Sequence, residues 1–365
     1  MSKNKKSDRL LLITVILIVI FGLVIFLSAS LGLLARGGAR FGSVASSQIG
    51  LGLILGGLFA LVVSNIKYKK WGKYSFWIWL FAIFSTLLVF IPGIGFEHGG
   101  AKRWIAIGNL TFQPAEFLKI AYVIYLSAWL TSARNKIKTF GGGFLPFVVI
   151  STISAIVLII QPDTGTAILM LVTGTAVYFM AGSNLRHILL VIILGVIAMS
   201  GLVLMRPYLL TRVTTYLNPA IDAQNASYQI QQSLIAVGSG RITGKGFGQS
   251  IQKFNYLPEP IGDSIFSVAS EEFGFIGMSI LILLFCILIW RGFYIGLKIK
   301  DTFGGLLVLG LVILITAQSF FNMGAMLGIL PLSGLPLIFV SHGGTAMFFA
   351  LFSVGIMLNI SKSVK

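Results

Sequence analysis

RVTTYLNPAIDAQNASYQIQQSLIAVGSGRITGKGFGQSIQKFNYLPEPIGDSIFSVASEEFGFIG, running from Arg212 to Gly277, is the one long polar interruption in a chain of 365 residues. It holds five of the ten carboxylates: Asp222, Glu259, Asp263, Glu271 and Glu272. The sequence around it is apolar. Hydrophobic residues make up 56% of the chain and charged residues 10%, with a mean hydropathy of +0.96. A soluble domain carries about 25% charged residues. This chain therefore belongs in lipid, and the polar stretch reads as a segment held at one face of a bilayer.

Working outward, ten apolar runs approach the length a bilayer needs. They are Leu10–Ser28, Ile49–Ser64, Phe76–Ile94, Ala115–Leu130, Phe144–Ile160, Ala167–Gly182, Ile188–Met205, Gly274–Ile289, Leu306–Met326 and Leu337–Ile360. The first is too long for a signal-peptide core and reads as an uncleaved span. The expected fold is all-α: a single polytopic membrane domain over 1–365, with ten transmembrane helices and a large extracytoplasmic loop, 207–270, between the seventh and eighth. The Gly52/Gly56 spacing suits close helix packing.

The net charge of +17 suggests nucleic acid only until the charges are placed. Most lysines and arginines cluster at Lys3–Arg9, Lys67–Lys73, Arg134–Lys138, Arg291–Lys300 and Lys362–Lys365, at alternate ends of the runs. That is the positive-inside pattern, with both termini cytoplasmic. Arg36, Arg40, Lys102, Arg103, Arg206, Arg212, Arg241, Lys245 and Lys253 fall on the outer side. Of the carboxylates, only Asp8 and Asp301 fall inside, so the rest gather on the outer face or within spans. No nucleic-acid partner is expected, and the lone Cys286 excludes an internal disulfide.

Five motifs carry polar chemistry. In GAKRWIAIGNLTFQPAEFLKIA (Gly100–Ala121), Pro114 opens a helix and Glu116 and Lys119 share one face inside an apolar span. They form either a buried ion pair or a substrate-facing site. In QPDTGT (Gln161–Thr166), Asp163 is a helix cap or a site residue. GSGRITGKGFG (Gly238–Gly248) is either a flexible loop or a cradle for a diphosphate, with Lys245 adding charge; it is not a nucleotide P-loop. In YLPEPIGDSIFSVASEEFG (Tyr256–Gly274), Asp263 stands where a Pro/Gly-rich loop meets an apolar run. Partial desolvation would raise its pKa and suit it to act as a base, with capping as the alternative. In LGILPLSGLPLIFVSHGGTA (Leu327–Ala346), prolines and glycines break the backbone, which is tolerated at membrane depth only where it is buried or lines a cavity. His342 there has no partner for metal binding.

In their order and placement, GAKRWIAIG, QPAEFLKIA, QPDTGTA, YQIQQSLIAVGSG, GKGFGQS, YLPEP with its following aspartate, and GLPLIFVSHGG resemble the SEDS family of bacterial cell-wall polymerases. The resemblance covers nearly the whole chain after the first run and is nearer the division members than the elongation members. It implies a peptidoglycan glycosyltransferase of the cytoplasmic (inner) membrane. The implied substrate is lipid II, the undecaprenyl-diphosphate-linked disaccharide pentapeptide. Asp263 takes the family's catalytic position. Glu116, Lys119, Arg103, Asp163, Arg212, Lys245, Glu259 and Ser341 are the candidate substrate-binding residues. No nucleotide is implied; a divalent cation (Mg or Mn) is a candidate helper. A class B penicillin-binding protein transpeptidase and other divisome or elongasome proteins are the implied partners. The chain departs from the family at Ile261-Gly262-Asp263-Ser264, usually His-Thr-Asp-Phe, and at Ser341-His342-Gly343-Gly344-Thr345-Ala346, usually Ser-Tyr-Gly-Gly-Ser-Ser. An elongation polymerase, a lipid II flippase and a non-catalytic division scaffold are the competing readings.

Overall fold

A computed structural model describes residues 7–35, 41–98, 101–107, 110–217 and 226–364. Arg36, Arg40 and Asp222 lie outside the described residues. The helices, in order, are α1 (Arg9–Ala35), α2 (Phe41–Ala45), α3 (Gly56–Asn65), α4 (Lys69–Lys73), α5 (Ser75–Leu87), α6 (Pro114–Ser132), α7 (Leu145–Ile160), α8 (Thr164–Met180), α9 (Leu185–Met205), α10 (Pro207–Leu217), α11 (Ala226–Ser239), α12 (Ile265–Lys298), α13 (Thr302–Met326) and α14 (Gly344–Ser361). Each of the ten apolar runs contains helix. Among the described residues, seven helices are long and apolar enough to cross a membrane, and Ser75–Phe90 and Thr164–Met180 are shorter apolar helices.

Local chemistry sets the ends. Pro114 occupies the first turn of α6, where its missing N–H is no loss. The side chains of Asp163, Asn184 and Asp301 accept backbone N–H groups at the starts of α8, α9 and α13. A π-helical stretch, Ser46–Leu55, joins α2 to α3. There Gly52 lies against Met347 and Gly56 against Phe348, so the glycine spacing does let α3 close on α14.

α13 and α14 form the buried centre, with α1, α6 and α12 packed around it. α9 is the opposite case: only His187 is buried along it, held by a hydrogen bond with Tyr178 (Nδ1 to Oη 3.0 Å). Helices that bury a stripe on one side and expose leucine and isoleucine on the other are what lipid requires of an outer layer.

Three details refine the expectations. The fold is mostly helical, as expected of an all-α membrane protein, with one small sheet beside the helices. AKRWIAI and LTF form part of a three-stranded antiparallel sheet, β1 (Gly95–His98), β2 (Ala101–Ile107) and β3 (Leu110–Phe112), with Gly95 opposite Ile105 and Ile105 opposite Phe112. The run of β-branched and aromatic residues, too short to span, pairs with itself instead. The 207–270 segment contains α10 and α11. The tenth run begins its helix at Gly344 rather than Leu337, because Leu337–Gly343 belongs to the broken segment after α13.

Candidate active site

Asp263 lines a cavity of about 410 Å³ at the end of the bundle where α12 begins. Arg212 from α10, Tyr228 and Gln229 from α11, Asn322 from α13 and the broken segment at Ser333–Leu335 line it too. Its volume lies within the usual range for a small-molecule site.

The loop before α12 places the aspartate. Glu259, at a positive φ of 45°, turns the chain, and its carbonyl accepts the N–H groups of Gly262 (3.0 Å) and Ser264 (3.2 Å). Three outside contacts then fix it. Asn322 donates from Nδ2 to the Asp263 carbonyl (2.8 Å) and the Leu335 carbonyl (2.9 Å). Gln229 Nε2 donates to Ser264 Oγ (3.0 Å). Ser341 Oγ donates to the Gly262 carbonyl (2.9 Å) while accepting the Leu337 N–H (2.8 Å). The Asp263 backbone is thus pinned from α11, α13 and the broken segment, while its carboxylate faces the cavity.

Burial pushes the Asp263 carboxyl up to about 6. The neighbouring Glu259 charge raises it further, and Arg212 and Arg103 pull against both. Both arginines are therefore electrostatic neighbours of this carboxylate. Each guanidinium is anchored to backbone: Arg212 donates to the Leu332 carbonyl (3.2 Å), and Arg103 to the Gln161 carbonyl (3.3 Å) and the Pro162 carbonyl. A carboxylate poised near neutral pH beside two fixed cations can take a proton while the cations meet an anion.

Asp263, Arg212, Arg103 and Glu259 thus form one electrostatic site. Asp163 caps α8 by accepting the Thr166 N–H (3.2 Å); it also faces the Arg212 charge. Ser341 is buried and supports the Asp263 loop from behind. Glu116 and Lys119 sit apart. They form a buried ion pair (2.8 Å), and Lys119 also donates to Gln318 Oε1 (2.6 Å), around a separate void of about 20 Å³. Lys245 pairs with Glu271 (2.5 Å). The diphosphate cradle expected around it is filled by protein: the N–H groups of Lys245 and Gly246 donate to the carbonyls of Glu271 (3.0 Å) and Glu272 (2.9 Å).

Asn322, Gln229, Tyr228 and Ser333 escaped the sequence reading. Asn322 did leave a signal, because Gln318 and Asn322 are amides four residues apart inside the ninth apolar run, on one helix face. The described residues contain no cluster of three or more His, Cys, Asp or Glu arranged to hold a metal.

These features define a multi-pass helical membrane protein whose polar site is a single cavity-facing carboxylate between arginines. The chain belongs to the FtsW, RodA and SpoVE family of cell cycle proteins, whose sequence model matches residues 8–365. It is 36% identical to the stage V sporulation protein E of Bacillus subtilis, covering 99% of this chain and 98% of that one. It is 37% identical to the probable peptidoglycan glycosyltransferase FtsW of Geobacter metallireducens, covering 99% and 96%. Its fold is similar to a chain from a peptidoglycan synthase complex solved for the coordination of polymerization and crosslinking (TM-score 0.79, 25% identity, 97% of both chains). It is also similar in fold to the rod shape determining protein RodA of Thermus thermophilus (TM-score 0.70, 24% identity, 97% and 96%).

Proposed function

We propose that this chain polymerises lipid II into glycan strands, with Asp263 as the base. The observation that carries the reading is the Asp263 carboxylate, enclosed at a cavity wall and flanked by Arg212 and Arg103. Asp263 removes the proton from the acceptor sugar's 4-hydroxyl. The freed oxygen attacks the donor's anomeric carbon with inversion, the bond to the diphosphate breaks, and undecaprenyl diphosphate leaves. The proton ends on Asp263, and the arginines meet the charge on the departing diphosphate. Glu259 raises the basicity of Asp263. A divalent cation (Mg or Mn) would be held by Asp263 and Glu259 and would supply positive charge for the diphosphate.

Around this site we infer one polytopic domain of ten spans in the bacterial inner membrane, with both termini cytoplasmic and 207–270 extracytoplasmic. A class B penicillin-binding protein is the fitting partner: the solved chain of similar fold belongs to a synthase complex that couples polymerization to crosslinking. The family relatives named FtsW support a division role. The test is polymerisation of lipid II by the purified protein, alone and with a candidate transpeptidase, with Asp263→Asn in parallel. Long glycan chains lost in the variant are expected. No chains under any condition, or near-normal chains from a folded Asp263→Asn protein, would overturn the reading.

A further inference from the structure

The segment between α11 and the Asp263 loop is built inside out. Its Lys253 is 0% exposed, paired with Glu272 (2.7 Å) and donating to Ser28 Oγ (3.1 Å) of α1. Glu271, also buried, accepts Lys245 Nζ (2.5 Å) and Ser250 Oγ (2.6 Å). Meanwhile Phe247 is 53% exposed and Ile251 58% exposed, with Ile242, Phe254 and Tyr256 exposed beside them in sequence. Lysine and glutamate can be buried when paired, as Lys253 and Glu272 are here, so the telling feature is the outward set of large apolar side chains. An outward cluster of large apolar side chains over an inward ion-pair core fits an apolar surrounding.

The backbone agrees. In hydrocarbon every peptide N–H needs an internal partner. From Gly248 to Phe254 each one has it. Gly248 donates to Ser28 Oγ, Gln249 to the Gly246 carbonyl, Ser250 to the Glu272 carboxylate, Ile251 and Gln252 to the Glu271 carboxylate, Lys253 to Ser250 Oγ and Phe254 to the Ile251 carbonyl, all within 3.0–3.3 Å. The two buried glutamates thus serve as acceptors for the loop's own amides. The loop is also continuous with a lipid-facing surface. The Ile276 N–H donates to the Ile242 carbonyl (3.0 Å), which joins Ile242 to the exposed Phe275 and Ile276 of the spanning helix α12.

We propose that residues 242–256 are set into the membrane leaflet on the cavity's side, with Phe247, Ile251 and Phe254 in contact with lipid. The exposed Arg241 and Lys245 have stems long enough to bring their charges to the interface. The loop runs directly into Pro258 of the cavity wall. This placement does not depend on which reaction the cavity performs.

The test uses the full chain with Cys286→Ser, reconstituted in phospholipid vesicles without any other protein. Phe247→Cys, Ile251→Cys and Lys102→Cys variants carry one environment-sensitive fluorophore each; Lys102 is an exposed residue of the sheet. The expected result is several-fold stronger quenching by acyl-chain spin-labelled lipid, and several-fold weaker quenching by iodide, at 247 and 251 than at 102. Equal iodide access at all three positions would overturn the proposal. So would shielding at 247 and 251 that appears only when a purified partner transpeptidase is added, because the surface would then be a protein interface.

Discussion

At Asp263 the chain places a carboxylate where its ionised form is costly yet wanted. Its pKa of about 6 comes first from burial and then from Glu259, with Arg212 and Arg103 holding it down. As a base it must be ionised, so polymerisation is expected to fall about tenfold per pH unit below 6 and to level off above it. A rate that is flat from pH 5 to 8, in a pH series on the purified protein, would remove Asp263 from the rate equation. The stability sign is opposite. The folded pKa lies above the ordinary 3.8, so ionisation costs stability: none below about pH 4, and at most about 3 kcal/mol above pH 6. Asp263→Asn is therefore expected to unfold no earlier than the parent at pH 7.5, which separates lost chemistry from lost fold. Asn322 acts behind it. Its Nδ2 serves two carbonyls, which fixes the orientation of the amide and ties the Asp263 loop to Leu335. Asn322→Ala is expected to lower kcat more than tenfold with KM for lipid II nearly unchanged. Parallel loss of binding, or no kinetic loss, would assign Asn322 a different role.

At the scale of the element, the break in α12 explains why the glycine-rich stretch is not a phosphate cradle. Gly274 sits at φ 62°, ψ −165°, a region open essentially to glycine alone. The interruption frees the carbonyls of Glu271 and Glu272 and the N–H groups of Phe275 and Ile276. The Arg241–Gly246 backbone takes up all four, with Phe275 donating to Arg241 (2.9 Å) and Ile276 to Ile242 (3.0 Å). The glycines are there because this loop lies on helix backbone: a Cβ on Gly274 would meet Gly244 N, Ile242 O and Thr243 C, none of which can swing away. Gly274→Ala is expected to destabilise the protein by roughly 2–3 kcal/mol or more, from strain and overlap together. The charges beside the break carry a second expectation. Lys253→Met leaves Glu272 buried beside Ser28 without its cation, and breaking a buried pair this way costs about 3–5 kcal/mol. Thermal unfolding in detergent measures both, and an unchanged transition in either variant would contradict its argument. Sequence alone showed the glycines and the carboxylates of this stretch but not their pairing, because the contacts join residues 240–253 to 271–276 and to Ser28 of α1, which no local pattern encodes.

At the scale of the whole molecule, the apolar runs were readable because lipid imposes length and polarity on every helix, and Asp263 was readable because a carboxylate at a rim stands out against apolar sequence. What was not readable depends on chain crossings. The sheet at 95–112 was hidden by its short strands, and the helices α10 and α11 by the polar composition of their segment. The isolation of Glu116 and Lys119 from the cavity was hidden by helix packing. The grouping of the chain's ends has the most general consequence. The Asp8 N–H donates to Ser361 Oγ (2.9 Å), and Arg291 grips the Asp8 carboxylate with two nitrogens (2.6–3.0 Å). Asp8 and Ser361 therefore lie at the end of the bundle that holds the later turns of α12. Asp263 lies just before α12 begins, on the other side of the Gly274 break from Arg291. The proposed ten-span topology places the terminal charges and the Asp263 cavity in opposite aqueous phases. In intact cells carrying the Cys286→Ser chain, an impermeant maleimide is expected to label Lys102→Cys, beside Arg103 at the cavity end, and to reach Ser363→Cys only after the membrane is opened. Labelling of both from the same side would leave the bundle unable to separate its termini from its cavity, and would overturn the ten-span topology together with the extracytoplasmic placement of the site.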